Sequence, residues 1–225
     1  MALTPTPARD LKVGTIINTT FNVLEKNALV AIGAILVLAA ANFGAAYLGL
    51  TKTAIMQQVG LSVGAAIAGF VVNFVLLNLM LRKIGLQKVQ GMDLLVPYFG
   101  LSVLSTLGIG LGFIVLILPG LFLMARWSLA QPLMLARGDG IMKALGESWE
   151  RTKGNEFTII LAALALAILF ILVSVLVPFQ FGAQSIVGLV IAQTAGAVAS
   201  IIFASMRVAL YALMVAAHSP SETFE

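Results

Sequence analysis

The sequence predicts an all-α, polytopic integral membrane protein, and three observations carry that fold class. Of 225 residues, 60% are hydrophobic and only 10% charged, where soluble domains carry roughly 25% charged residues. A mean hydropathy of +1.07 is spread over the whole chain, as repeated spans spread it and one anchor on a soluble domain does not. Six apolar stretches approach or exceed the ~20 residues that a helix needs to cross the hydrocarbon core at ~1.5 Å per residue. With no water there to satisfy backbone groups, each stretch must close its own hydrogen bonds, which a helix does within the segment.

Taken in order, residues 1–8, with Pro5 and Pro7, hold no apolar signal region, and the first apolar run is too long for a signal peptide, so it reads as a retained span. Ahead of it, over residues 10–26, Val13, Ile16, Ile17, Thr20, Phe21 and Leu24 recur at helical spacing. Lys12, Asn18, Asn22, Glu25 and Lys26 take the other faces, which predicts an amphipathic helix at the membrane interface. Spans follow over 28–50 and 59–81, then over 94–118 and 119–136 with no polar loop between the last two. That junction, Leu118-Pro119-Gly120, suits a tight hairpin in which Pro119 opens a helix where its missing N–H costs nothing. A second interfacial helix is expected over 141–153, with Met142, Leu145 and Trp149 on its apolar stripe and Lys143, Glu147, Glu150, Arg151 and Lys153 on its wet one. The remaining spans are 157–177 and 186–217; the last is longer than a bilayer requires and is expected to tilt, bend or leave the lipid.

The basic residues set the direction. Arg9, Lys12 and Lys26 precede the first span, Arg82, Lys83 and Lys88 follow the second, and Arg137, Lys143, Arg151 and Lys153 lie between the fourth and fifth; the opposite side carries only Lys52. The positive-inside rule then places both termini in the cytoplasm of a bacterium-like cell, the chain crossing its inner membrane an even number of times. All nine acidic residues fall on the same side, so the net charge of +4 is a weak argument for a strongly anionic partner. The dispersed basic residues, without interleaved aromatics, give nucleic-acid binding no support.

Catalysis finds little to work with. There are no cysteines, which excludes disulfides, thiolate chemistry and cysteine metal sites. The single His218, beside Ser219 and Pro220, reads as a solvated terminal residue. Serines in the spans have no histidine or carboxylate nearby in sequence to activate them, and no cluster has metal-ligand spacing. Asp93, Asp139, Glu147, Glu150 and Glu156 are most economically the wet faces of interfacial helices. Gly108-Ile109-Gly110-Leu111-Gly112 sits in an apolar span with no preceding strand, so it is not a nucleotide loop. The expectation is a non-enzymatic protein with no catalytic residue, metal or cofactor.

The two interfacial segments superpose with an offset of 128, placing Ile17 on Leu145, Thr20 on Ser148, Phe21 on Trp149 and Asn27 on Asn155. This is a weak parallel repeat of an interfacial helix plus a hairpin. A shorter middle copy starting near Asp93 would make it three-fold, with Asn73, Arg126 and Arg207 at comparable depth in the second helix of each hairpin. Small residues recur at Gly188, Ala192, Gly196, Ser200 and Ala204, and at Gly60, Gly64 and Ala68. Such stripes let helices pack closely in lipid, within the chain or against a second copy.

Arg126 and Arg207 are the most informative residues, because a charge at a span centre costs about 2.5–3.5 kcal/mol on insertion scales. No Asp or Glu falls within the expected spans. The cost is therefore offset by carbonyls freed at Pro132, by the amides of Asn42, Asn73, Asn78, Gln131 or Gln193, by water, or by an anionic ligand. One reading is a lipid- or anion-binding pocket lined by Arg126, Arg207, Asn73 and Gln131, since guanidinium suits phosphate geometry. The other is structural, the arginines snorkelling toward the interface and capping carbonyls.

The run Pro119-Gly120-Leu121-Phe122-Leu123, then Ala125-Arg126-Trp127-Ser128-Leu129-Ala130-Gln131-Pro132, then Ala144-Leu145, Ser148-Trp149 and Lys153-Gly154-Asn155 resembles the YciC-like inner-membrane proteins. It also resembles the related membrane domain attached to some glycerophosphodiester phosphodiesterases. The resemblance implies a six-span bundle in a bacterial inner membrane. In the fused relatives a separate soluble domain carries the phosphodiesterase chemistry, so that activity is not expected of this chain. Two roles follow as expectations: a bundle associated with membrane lipids, with another membrane protein or with itself, or a small transporter or lipid-handling protein whose anion site near the bilayer middle uses Arg126 and Arg207.

Overall fold

Apolar stretches with internally closed hydrogen bonds do become helices. A computed structural model describes residues 11–51, 54–87, 92–181 and 185–215. Among them are nine α-helices and one 3-10 turn, and no strand. In chain order these are α1 (Val13–Lys26), α2 (Ala28–Thr51), α3 (Ile55–Lys83), the 3-10 turn Met92–Leu94, α4 (Leu95–Val115), α5 (Ile117–Arg126), α6 (Ala130–Arg137), α7 (Ile141–Arg151), α8 (Glu156–Phe181) and α9 (Ile186–Met214). Helices α2, α3, α4, α8 and α9 are long and apolar enough to cross a membrane, and the protein is a multi-pass membrane protein.

The sixth expected crossing differs. Residues 119–136 do not form one helix: α5 stops at Arg126, Trp127–Leu129 form a turn, and α6 restarts at Ala130. Pro132, third in α6, is the cause written in the sequence, because it has no N–H to return to the carbonyl four residues earlier. The hairpin also turns earlier than expected, at Leu116, whose backbone is extended (φ −162°, ψ 154°). Pro119 is thus the third residue of α5, where an N–H needs no helical partner.

Helices α4 and α5 lie antiparallel and very close. A Cβ on Gly112 would come within 2.9 Å of the Gly120 Cα, and one on Gly108 would overlap the Trp127 ring. Gly108 and Gly112 therefore serve helix packing. Gly112→Ala should lower stability by about 1–3 kcal/mol through overpacking, read as a lower Tm for the detergent-solubilised chain. Gly110→Ala is the control: a Cβ there meets nothing within 4 Å, so that variant should melt no lower than the parent.

The stripes read from sequence divide. Gly188 is buried and Ser200 accepts a 3.3 Å hydrogen bond from Asn73 Nδ2 across the α3–α9 seam. Ala192, Gly196 and Ser200 are half-buried, and the buried face of α9 runs through Ala197, Ile201, Ala204, Ser205 and Val208. Among the described residues, a Cβ at Gly60 or Gly64 meets no atom within 4 Å.

The buried core concentrates at one end of the bundle, where α1, the end of α3, α6, α7 and the end of α9 meet. Ile16, Leu77, Met80, Leu81, Leu133 and Leu210 are all fully or almost fully inaccessible there. Elsewhere the long helices present bare apolar side chains, Leu29, Met56 and Ile114 among them, surface that only lipid or another membrane helix covers favourably. Both α1 and α7 bury one narrow face, Ile16, Thr20 and Val23 in the first and Ala144, Leu145 and Ser148 in the second.

Of the four pairs aligned by the 128-residue offset, two share their environments, whereas Phe21 is exposed where Trp149 is half-buried and Ile17 is half-buried where Leu145 is buried. Thr20 and Ser148 are both inaccessible, and Asn27 and Asn155 are both buried immediately before α2 and α8. Each asparagine carbonyl accepts the N–H four residues on, at 2.9 Å. Asn155 Oδ1 also accepts the Leu11 N–H at 2.9 Å, which ties the start of the first unit to the second.

Candidate anion-binding site

The two arginines have different surroundings. Arg126, at the end of α5, is 7% exposed and closed off by protein. Its Nη2 pairs with Glu156 Oε1 at 2.7 Å, its Nη1 donates to the Trp149 carbonyl at 2.7 Å, and the guanidinium lies 5.0 Å from the Phe122 ring centroid and 4.7 Å from that of Trp149. The pocket expected to join both arginines is thus corrected: Arg126 is a buried structural ion pair inside an aromatic clasp. Glu156 is thus not a wet-face residue of an interfacial helix but the first residue of α8, where a carboxylate also suits the positive helix end.

Around that pair, α7 holds the broken span in place. Ser148 Oγ donates to the Arg126 carbonyl at 2.6 Å and accepts the Leu129 N–H at 3.2 Å, so one hydroxyl serves both sides of the break. Thr152 Oγ1 reaches the same carbonyl at 3.4 Å. Further out, Glu147 pairs with Arg137 and Arg151 at 2.6 and 2.7 Å, and Arg151 Nη1 donates to the Met214 carbonyl at the end of α9. Lys143 pairs with Asp139 at 2.6 Å, and the hydrogen bond to that carboxylate raises the exposed Lys143 ammonium above its usual range.

Arg207 is different. Its Nη1 donates to Gln131 Oε1 at 2.6 Å, and Gln131 Nε2 donates onward to Ser102 Oγ at 3.2 Å. Among the described residues no carboxylate lies within ion-pair distance of it. The guanidinium borders a cavity of ≈ 120 Å³ between α4, the break, α8 and α9, whose polar lining is Ser102, Ser105, Thr106, Ser128, Gln131 and Arg207. Ser105 Oγ is buried there with no hydrogen-bond partner among the described residues. Arg207 precedes the end of α9 at Met214 by seven residues, and Ser102 follows the start of α4 at Leu95 by seven, roughly 10 Å in each case. Both residues therefore lie two helical turns inside the end of the bundle that carries α7.

Of the four ligand candidates read from sequence, the structure brings Arg207 and Gln131 together and leaves two outside. Arg126 is absorbed by Glu156, and Asn73 lies in the α3–α9 seam with its Oδ1 buried and unpaired. The comparable depth assigned to Asn73, Arg126 and Arg207 does not gather them into one site. The residues missed, Ser102, Ser105 and Thr106, carry a legible signal: spaced three and four apart, they put hydroxyls on one face of an apolar span. His218 and Lys52 lie outside the described residues.

No curated protein and no solved structure gives a match to this chain. Residues 92–218, more than half of the chain and the whole described lining of the cavity, match the family described as the membrane domain of glycerophosphoryl diester phosphodiesterase, and the chain belongs to that family.

Proposed function

We propose that the chain is a non-enzymatic, lipid-associated domain of a bacterial inner membrane, with both ends cytoplasmic, that holds an anionic group at Arg207. The observation that carries this reading is the guanidinium of Arg207, without a carboxylate partner among the described residues, bordering a hydroxyl-lined cavity. A cation two turns inside a membrane bundle is costly unless something compensates it, and one glutamine carbonyl oxygen leaves most of its five N–H donors unserved. An entering phosphate supplies what is missing, since guanidinium and phosphate oxygens match in charge and geometry. A non-catalytic role is supported by the described lining, whose residues offer hydroxyls but no imidazole or carboxylate to activate them. The cytoplasmic assignment is supported by the basic residues of α1, the end of α3, α6 and α7. Faces of α1 and α7 with Lys12, Lys26 and Lys143 exposed suit a helix resting on anionic headgroups.

Titration calorimetry of the purified chain in uncharged detergent tests this. A short-chain anionic phospholipid should bind the parent and bind Arg207→Gln at least tenfold more weakly, the variant keeping its elution volume and Tm. Equal affinity in the two proteins removes the reading.

A further inference from the structure

The cavity selects for phosphate that arrives without an amine, an inference that rests on reading Arg207 as an anion site and adds the class of ligand.

The first ground is the balance of donors and acceptors. Ser128 Oγ donates to the Ala125 carbonyl at 2.7 Å, and Ser102 Oγ accepts from Gln131, so neither hydroxyl is wholly at a ligand's disposal. What remains for a ligand is the rest of the Arg207 fork and the hydroxyls of Thr106 and Ser105, the latter buried and, among the described residues, unpartnered at the cavity wall. All of these can donate, and the strongest is cationic. A tetrahedral oxyanion can accept from several at once.

The second ground is what a zwitterionic headgroup would meet. An ammonium entering beside its own phosphate needs a carboxylate, a ring face or free carbonyls, and it is repelled by Arg207 in the same small volume. None of the described lining residues is acidic. Glu156 is already engaged by Arg126 at 2.7 Å, and the Trp149 ring and carbonyl serve that same guanidinium. The nearby carboxylate is therefore engaged by an internal cation; the rings of Trp127 and Phe203 do line the cavity, but an ammonium drawn to them stays beside the Arg207 charge.

The third ground is size and depth. At ≈ 120 Å³ the space is smaller than the ~150 Å³ cavity known to take a benzene, which suits the five heavy atoms of a phosphate and its ester carbon but not a bulky quaternary amine. Lying roughly 10 Å inside the helix ends, it is within reach of a phosphate whose acyl chains remain in the bilayer.

From these we infer that the Arg207 cavity binds a phosphomonoester head, carried by a membrane lipid or free in solution, and rejects ethanolamine and choline esters of the same phosphate. Calorimetric titrations of the full chain in uncharged detergent with dihexanoyl phosphatidic acid, phosphatidylethanolamine, phosphatidylcholine and inorganic phosphate decide the matter. Phosphatidic acid is expected to bind at least tenfold more tightly than either zwitterion, with Ser105→Ala losing threefold or more of that affinity at unchanged Tm. Inorganic phosphate binding far more weakly than phosphatidic acid supports the inference with a lipid as the source; equal binding supports it with a soluble source. If phosphatidylethanolamine or phosphatidylcholine binds within threefold of phosphatidic acid, the selectivity is overturned while the anion site stands. If none of the four binds, the site and the selectivity fall together.

Discussion

Glu156→Ala should destabilise the fold by about 3–5 kcal/mol, because it strands a buried guanidinium whose other partners cannot carry its charge. Arg126 keeps the Trp149 carbonyl and the two ring faces in that variant, but its Nε is already buried without a partner, so little spare compensation exists. For a chain of this size each kcal/mol moves Tm by about 2–4 °C, and the loss should be plain in a thermal melt of the detergent-solubilised protein. Arg126→Met alone should also destabilise, leaving the Glu156 carboxylate beside the aromatic clasp. The double variant Arg126→Met/Glu156→Met should recover much of the loss, since replacing a whole buried pair by apolar groups is often neutral. Three melts suffice; if the single variants cost no more than the double, the pair is not coupled as drawn. The double variant should still bind the anion at Arg207, which separates the structural arginine from the ligand-facing one.

The fold was legible because it follows from solvent physics that needs no partner. Stretches such as 28–50 and 59–81 are at home in hydrocarbon wherever their neighbours lie, and α2 and α3 cover them. The break in residues 119–136 was hidden because a hydropathy window averages composition, while a helix stop is a backbone event. Only Pro132 announced it, and the hydroxyl that makes the stop affordable, on Ser148, lies on another helix. The fate of Arg126 was hidden for the same reason: Glu156 stands thirty residues along the chain, and only the return of α7 across the end of α5 brings the two to 2.7 Å. Arg207 could be singled out from its cost alone. Gln131 is one of the amides that the sequence offers to hold it, but nothing local marks Ser102, Ser105 and Thr106, because single hydroxyls in a span gain meaning only once a cation faces them.

Ser148→Ala is expected to act twice, on stability and on the cavity. The hydroxyl serves the Arg126 carbonyl at 2.6 Å and the Leu129 N–H at 3.2 Å; without it the amide loses its partner, and the carbonyl keeps only Thr152 at 3.4 Å. A buried polar group left unmade costs about 1–3 kcal/mol, so the melt should fall accordingly. Beyond that, the break fixes the start of α6 and therefore Gln131, the residue that holds Arg207. Anion affinity measured by calorimetry, well below the melt of the variant, should drop several-fold, and Ser148→Thr, which keeps the hydroxyl, should restore most of it. The aligned residue of the first unit supplies the contrast. Thr20 is equally buried, but its hydroxyl donates at 2.7 Å to the Ile16 carbonyl of its own helix, a bond that a helix tolerates losing. Thr20→Val should therefore leave both the melt and the anion affinity close to the parent's. Two aligned hydroxyls on two aligned helices then differ because only one of them bridges a break, and an equal response from both would mean that the break is held by something other than α7.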